Sequence, residues 1–258
     1  MIFIDSHAHL QWEDYQETRD KIIENARKAN LKYILNIGTT LETSRQSVEL
    51  SRKHDDIFAS VGIHPHEAKA FDKTALEALE ALANDPKVIA IGETGLDFFY
   101  EHAPKEIQIS AFREQIALAK ALHLPISVHC RNAFANCFKL IEEINWHNGV
   151  FHCFTGTLEE ATQAITLGFY VSISGIVTFK KAQNLQHAVQ KIPLEKMLIE
   201  TDCPYLAPEP FRGKKNEPAY VTYVAQKIAE LKNISMENVA ETTTQNAIDL
   251  FGFKRRKT

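Results

Sequence analysis

No apolar run in this sequence approaches the ~20 residues needed to cross a bilayer, so no membrane-spanning segment is expected. The first residues also lack the basic start and long apolar stretch of a signal peptide, and cleavage there would remove His7 and His9. Cysteine is scarce. The four present, Cys130, Cys137, Cys153 and Cys203, are scattered without CxxC spacing. That argues against a disulfide framework or a thiolate zinc site and fits a reduced, cytoplasmic protein. Positive charge is not in excess either: 29 Lys and Arg against 33 Asp and Glu leave a formal net charge of -4. Polyanions therefore gain no global attraction, and any contact with nucleic acid must come from a local basic patch. The Lys254–Lys257 tail reads as a solvated fringe. No Gly/Ser/Pro-rich linker, repeat or low-complexity segment divides the chain, and residues 1–258 are expected to form one domain.

What is present is a regular alternation. Short β-branched runs fall at Ile2 to Asp5, Tyr33 to Ile37, Phe58 to Ile63, Val88 to Glu93, Ile126 to His129, Gly149 to His152, Tyr170 to Ser174 and Met197 to Thr201. Helical patterns separate them, among them Thr18 to Ala29, Leu41 to His54, Thr74 to Asn84, Glu106 to His123 and Leu158 to Leu167, and Pro218 to Lys232 and Met236 to Phe251 close the chain. Eight strands alternating with helices describe an α/β fold of the (β/α)8 TIM-barrel type. The rival is an open doubly wound sheet, which places its chemistry at one switch point and not at many strand ends.

The ionisable residues favour the barrel. His7 and His9 follow strand one, His64 and His66 strand three, Glu93 lies at strand four, His129 at strand five, His152 at strand six and Asp202 at strand eight. In a barrel the C-terminal strand ends converge on one mouth, where imidazoles and carboxylates together can hold divalent cations. Singly, each position has an ordinary reading as a turn, cap or loop residue. His54, His102, His123, His147 and His187 have no partner at such spacing and read as surface or packing residues. Cys130, Cys153 and Cys203 directly follow His129, His152 and Asp202. Strand alternation is expected to turn them away from the site as small apolar fillers.

The segments DSHAHL (5–10), VGIHPH (61–66), IGETGLDFF (91–99), PISVHCRNA (125–133), FHCFTG (151–156), ETDCPYLAP (200–208) and FRGKKNEP (211–218) occur in this order. Together they resemble the TatD family of metal-dependent deoxyribonucleases over nearly the whole chain, and SGIVTFKKA (174–182) is similar to its YcfH-type branch. The resemblance implies two divalent metal ions per chain, Mg, Zn or Mn, with His7, His9 and Asp202 on one, His129 and His152 on the other, and Glu93 bridging both. His64 would stand beside the pair, contacting substrate phosphate or attacking water. Asn132 departs from the family, where Asp is more common at that place.

The chemistry implied is a two-metal hydrolysis of DNA phosphodiester bonds from the 3′ end, without sequence specificity. Its catalytic residues would be Glu93, Asp202 and His64: Asp202 takes the water proton, Glu93 fixes the intermetal distance, and His64 orients or transfers a proton. Arg131 and Arg212 are candidate phosphate contacts, whereas Lys214 and Lys215 equally suit a solvated basic loop. Phe98, Phe99 and Tyr100 suit core packing or a lid, or the stacking of bases. The same metal cluster would also serve a hydrolase of a small-molecule amide, ester or lactone. A catalytically silent binding module gives no reason for six ligand-type side chains.

Overall fold

A computed structural model describes residues 1–254. Of the basic tail only Lys254 is among them, and the reading of Arg255, Arg256 and Lys257 falls outside the described residues.

The strands β1 (Phe3–Ala8), β2 (Leu31–Ile37), β3 (Ile57–Val61), β4 (Val88–Asp97), β5 (Ile126–Arg131), β6 (Gly149–Phe151), β7 (Tyr170–Ile173) and β8 (Met197–Ile199) form one sheet in sequence order. Each pairs in parallel with the next. The seam between β8 and β1 is joined beyond the end of β8: His9 N–H donates to Cys203 O and Asp202 N–H to His7 O, both at 3.0 Å. Closure of the barrel thus ties the His7–His9 segment directly to Asp202. The expected (β/α)8 barrel is the observed architecture.

Around it lie α1 (Arg19–Lys28), α2 (Leu41–Lys53), α3 (Lys73–Ala83), α4 (Lys105–Ala121), α5 (Phe134–Ile144), α6 (Leu158–Thr166), α7 (Gln183–Lys191), α8 (Val221–Lys232) and α9 (Met236–Phe251). Their starts follow from local chemistry. Thr40 and Thr157 cap α2 and α6 in reciprocal capping boxes with Thr43 and Glu160, and Asp72 and Ser235 accept the N3 backbone N–H of α3 and α9. Asn145 and Asn233, left-handed at φ 55°, stop α5 and α8.

Four strand expectations need correction where they touch the site. β1 runs through Ala8 and not Asp5, so His7 lies within the strand. β4 continues past Glu93 to Asp97, because Thr94–Asp97 pair with Val128–Arg131 of β5. Conversely β6 and β8 stop short, at Phe151 and Ile199, and His152 and Asp202 stand on the turns beyond them.

The large core lies between helices and sheet. A second packed group brings together Ile4, Leu35, Ile37, Phe58, Ile89, Val150 and Leu198, from six different strands, with Leu250, Phe251 and Phe253. Contacts among so many strands place this group inside the barrel, and the segment after α9 closes its floor. Gly252, at φ 76°, makes the turn that sends Phe253 underneath, where its ring stacks on Tyr33 at 5.1 Å and meets Phe58 edge-on at 5.5 Å.

Candidate metal centre

The opposite end of the barrel carries the polar residues. Glu93 sits in the middle of this group, inside β4 and 4% exposed. Gly95 allows the approach: it is at φ 142°, and a Cβ there would fall 2.0 Å from the His129 carbonyl oxygen. Only the missing side chain lets β4 lie against β5 with Glu93 and His129 adjacent. His64 begins the 3-10 turn Pro65–Ala70, its backbone N–H held by Thr39 O at 2.9 Å.

Five imidazoles surround the single Glu93 carboxylate, and its two oxygens sort them. Oε2 faces His7 Nε2 at 3.3 Å and His9 Nε2 at 3.7 Å. Asp202 Oδ1 completes that side, 3.8 and 3.5 Å from the same two nitrogens. Oε1 faces His152 Nε2 at 2.9 Å, His129 Nδ1 at 3.1 Å and His64 Nε2 at 3.3 Å. The potential ligand atoms of His7, His9 and Asp202 lie within 4.8 Å of one another, as do those of His64, Glu93 and His129 and of His7, Glu93 and His152. All six residues expected to bind metal are therefore in one cluster.

Two rings are aimed by hydrogen bonds on their far nitrogens: His9 Nδ1 meets Ile37 O at 3.0 Å, and His129 Nε2 meets Asp97 Oδ2 at 3.1 Å. His152 Nδ1 lies 3.4 Å from Glu200 Oε1, an ion-pair contact without a hydrogen bond. A donor N–H on the far side leaves a lone pair pointing inward, the arrangement that metal-binding histidines use. His64 differs. Its Nδ1 accepts the His66 backbone N–H at 3.1 Å, so in the neutral ring the proton is on Nε2, and that nitrogen is a donor. That Nε2 faces Glu93 Oε1 at 3.3 Å, within the group that His64 forms with Glu93 and His129.

Three carboxylates that sequence reasoning passed over hold this arrangement. Asp5 accepts the backbone N–H of His7 and of Thr201 and the Thr201 hydroxyl, at 3.2, 3.0 and 2.6 Å. Burial pushes its carboxyl up to about 8. Asp97 binds His129 and His66 through Oδ2 and accepts the Phe99 and Tyr100 N–H groups on Oδ1. Glu200 accepts the Cys153 N–H at 2.7 Å besides facing His152. A signal is present in the sequence: Asp5 and Glu200 each stand two residues before a proposed ligand within a quoted motif, and both are buried.

The electrostatics fit cations. Burial alone would raise the Glu93 carboxyl, yet His152, His64 and His129 hold it well below the usual carboxylate range. Burial opposes charge on His129 and His152 too, but Asp97 and Glu93 raise the first, and Glu93 and Glu200 raise the second well above an ordinary imidazole. The buried carboxylates thus draw in the positive charge that divalent ions would otherwise supply. Burial lowers His7 and takes His64 down to about 4, so both are neutral at pH 7.

A cleft of about 1010 Å³ opens above the cluster, lined by Trp12, Thr39, Tyr100, Arg131, Ile176 and Tyr205 together with the proposed site residues except His7 and Arg212. Arg131 is on this wall, its guanidinium 4.3 Å from the Phe99 ring and 4.6 Å from that of Tyr100. Arg212 lies instead over Phe179 at 4.2 Å, and Lys215 reaches the Asp14 carbonyl. The aromatic run divides: Phe98 packs against the core, whereas Phe99 and Tyr100 are exposed.

One expectation fails here. Cys130 borders the cleft but turns its sulfur outward as expected, 3.6 Å from Cys137 Sγ of α5 and against the core, whereas Cys153 is on the cleft wall. Alternation does not carry to Cys153 because β6 has already ended, and its left-handed backbone, φ 42°, sets the thiol 3.3 Å from Ser174 Oγ. His102, expected as a surface or packing residue, packs its ring 4.4 Å from His66.

Comparison with known proteins agrees with this geometry. Residues 4–252 match the sequence profile of the family described as TatD related DNase. The chain is 43% identical to the uncharacterized metal-dependent hydrolase YabD of Bacillus subtilis, over 97% of this chain and 99% of the relative. It is 35% identical to a protein of Escherichia fergusonii called 3'-5' ssDNA/RNA exonuclease TatD, over 96% and 98%. Among solved structures, the TatD homologue YJJV of Escherichia coli superposes with a TM-score of 0.92 at 28% identity, covering 97% of this chain and 98% of that one. By sequence along almost its entire length, the chain belongs to the TatD-related DNase family.

Proposed function

We propose that this chain is a divalent-metal-dependent nuclease that hydrolyses phosphodiester bonds in DNA and releases nucleotides from a 3′ end. The observation that carries the reading is the division of donors by Glu93: one carboxylate, with a separate set of ligand atoms facing each oxygen. His7, His9 and Asp202 would hold one cation, His129 and His152 the other, with Glu93 shared. Divalent ions bound there supply Lewis acidity toward a phosphoryl oxygen and lower the pKa of water.

The chain's own groups do the rest. Asp202, whose side chain is 17% exposed where His7 is fully buried, is the carboxylate open enough to the cleft to take a proton from the attacking water. His64 directs its Nε2–H into the site and donates to a non-bridging phosphate oxygen. Arg131, steadied by two aromatic rings, binds the neighbouring phosphate and supplies locally the charge that the net -4 of the chain does not. Arg212, off the cleft wall, contacts the strand farther out. The name borne by the Escherichia fergusonii relative supports the polarity of cleavage.

The test incubates protein loaded with Mg, Mn or Zn with end-labelled single- and double-stranded DNA, alongside Glu93→Gln. Stepwise loss of 3′ nucleotides, abolished in the variant, is the expected result. No cleavage with any of these metals, together with turnover of a non-phosphorylated ester or lactone, would replace this reading by that of a small-molecule hydrolase.

A further inference from the structure

Three exposed aromatic side chains and the half-buried Trp12 stand at the mouth on two separate walls, and among the described residues only one pair is engaged by a cation. Phe99 and Tyr100, 55% and 52% exposed, hold Arg131 on the β4–β5 wall. On the β1–β8 wall, Trp12 and Tyr205 are packed edge to face at 5.6 Å, and Tyr205 is 56% exposed. Both line the cleft, and among the described residues no cation lies over either ring.

This second wall is fixed to the catalytic centre. Trp12 stacks on His9 with ring centroids 4.2 Å apart and planes 12° from parallel. His9 in turn lies 3.7 Å from Glu93 Oε2. The Tyr205 backbone is pinned on both sides, its N–H donating to Asp202 O at 3.1 Å and its carbonyl accepting from Asn216 Nδ2 at 2.6 Å. Two flat rings therefore stand one residue layer from the reacting centre, each held by a segment that also supplies a ligand. An exposed tyrosine on a pinned backbone forgoes burial and loses little entropy on contact, properties suited to a flat partner.

We propose that Trp12 and Tyr205 form the base-binding subsite of the cleft, stacking the base of the nucleotide whose phosphodiester is cut, while the Arg131 wall takes the backbone. The inference rests on the nuclease reading. Stacking is tolerant of base identity because every base has a π-face, and it requires that the base be unpaired enough to offer one. The contact therefore selects for a strand end without selecting a sequence.

The experiment uses the full metal-loaded chain with two probes of equal length, an oligothymidylate and an abasic oligodeoxynucleotide. For the wild type the oligothymidylate should have the lower KM. Tyr205→Ala should raise that KM by roughly 5- to 100-fold and bring the ratio of the two KM values close to one, whereas Tyr205→Phe should preserve the ratio. A binding readout independent of turnover is available because the chain has two tryptophans. In a Trp146→Phe background, a cleavage-resistant phosphorothioate oligothymidylate should quench Trp12 fluorescence, and its abasic counterpart should not. Equal KM values for both probes in the wild type, or a Tyr205→Ala effect of equal size on both, overturns the subsite and leaves the nuclease reading standing. Failure to cleave either probe with Mg, Mn or Zn removes the nuclease reading, and this one with it.

Discussion

At the floor of the barrel, Phe253 stacks on Tyr33 and meets Phe58, and one buried cation, Lys87, donates to the carbonyls of His54, Asp55 and Ile57 while lying 4.2 Å over the Phe58 ring. At the mouth, the same sheet gathers five imidazoles within 3.7 Å of one carboxylate. The floor needs nothing from outside: its charge is solvated by backbone and its rings fill space. The mouth is different, because the Nε2 atoms of His7 and His9, 3.3 Å apart, face one another and the carboxylates of Glu93 and Asp202. Crowding of this kind costs stability in the free protein and is relieved by cations. One end of the barrel is built for folding, the other for binding, and substitutions should separate the two.

The largest separation is expected from Glu93→Gln. The change keeps the side chain's shape and removes the charge that both ligand sets face, so turnover should fall on the order of 10³-fold or more, equivalent to ~4 kcal/mol of lost transition-state stabilisation. Circular dichroism should remain that of the native barrel. Elemental analysis of the reconstituted wild type should give two ions per chain, and a stoichiometry fixed at one would break the bridging assignment.

Phe253→Ala should do the converse. Removing a ring packed against Tyr33, Phe58 and Phe251 is expected to destabilise the fold by ~3 kcal/mol, read as a lower denaturant midpoint. The kcat of the fraction that remains folded should be unaltered. A variant that lost activity without losing stability would show the two ends to be coupled. Chelation probes the same contrast: a metal at 100 times its Kd adds ~2.7 kcal/mol of stability, so its removal should lower the wild-type melting temperature and barely move that of Glu93→Gln.

Smaller effects are expected one contact away from the metal centre, where Asp97 and Glu200 orient His129 and His152. Glu200→Gln and Asp97→Asn should weaken metal affinity ~10- to 100-fold, with activity recovered at high metal concentration. Recovery distinguishes them from Glu93→Gln, which saturating metal should not rescue.

These orienting residues mark the limit of what the sequence made legible. The barrel could be read because strand and helix periods alternate cleanly, and Met236–Phe251 was delimited to the residue. The ligand candidates could be read because histidines rarely gather at strand ends by chance. Asp97 escaped because β4 was expected to stop at Glu93. Its continuation depends on pairing with β5, a non-local interaction that no local pattern encodes. Cys153 is misplaced for the opposite reason, a strand ending one residue early. The donor character of His64 Nε2 depends on one backbone hydrogen bond to its Nδ1, which spacing alone cannot convey.

The smallest effect, and the one most specific to substrate, belongs to Arg131. Phosphate contacts carry no base information, so Arg131→Ala should weaken binding of unrelated single-stranded sequences by a similar factor. Each phosphate neutralised on a single strand contributes about -0.7 to the slope of log K against log salt, so the variant's slope should be shallower by about that amount. Metal content should be unchanged, because Arg131 belongs to neither ligand set. Its guanidinium is held by Phe99 and Tyr100, whose N–H groups bind Asp97, so the substitution should leave the His129 contact intact where Asp97→Asn does not. Comparing the two variants across a salt series therefore divides the mouth itself: a shallower slope with normal metal affinity for Arg131→Ala, and an unchanged slope with weakened metal affinity for Asp97→Asn. A slope that stays the same in Arg131→Ala would move the phosphate contact elsewhere on the rim, with Arg212 the next residue to replace.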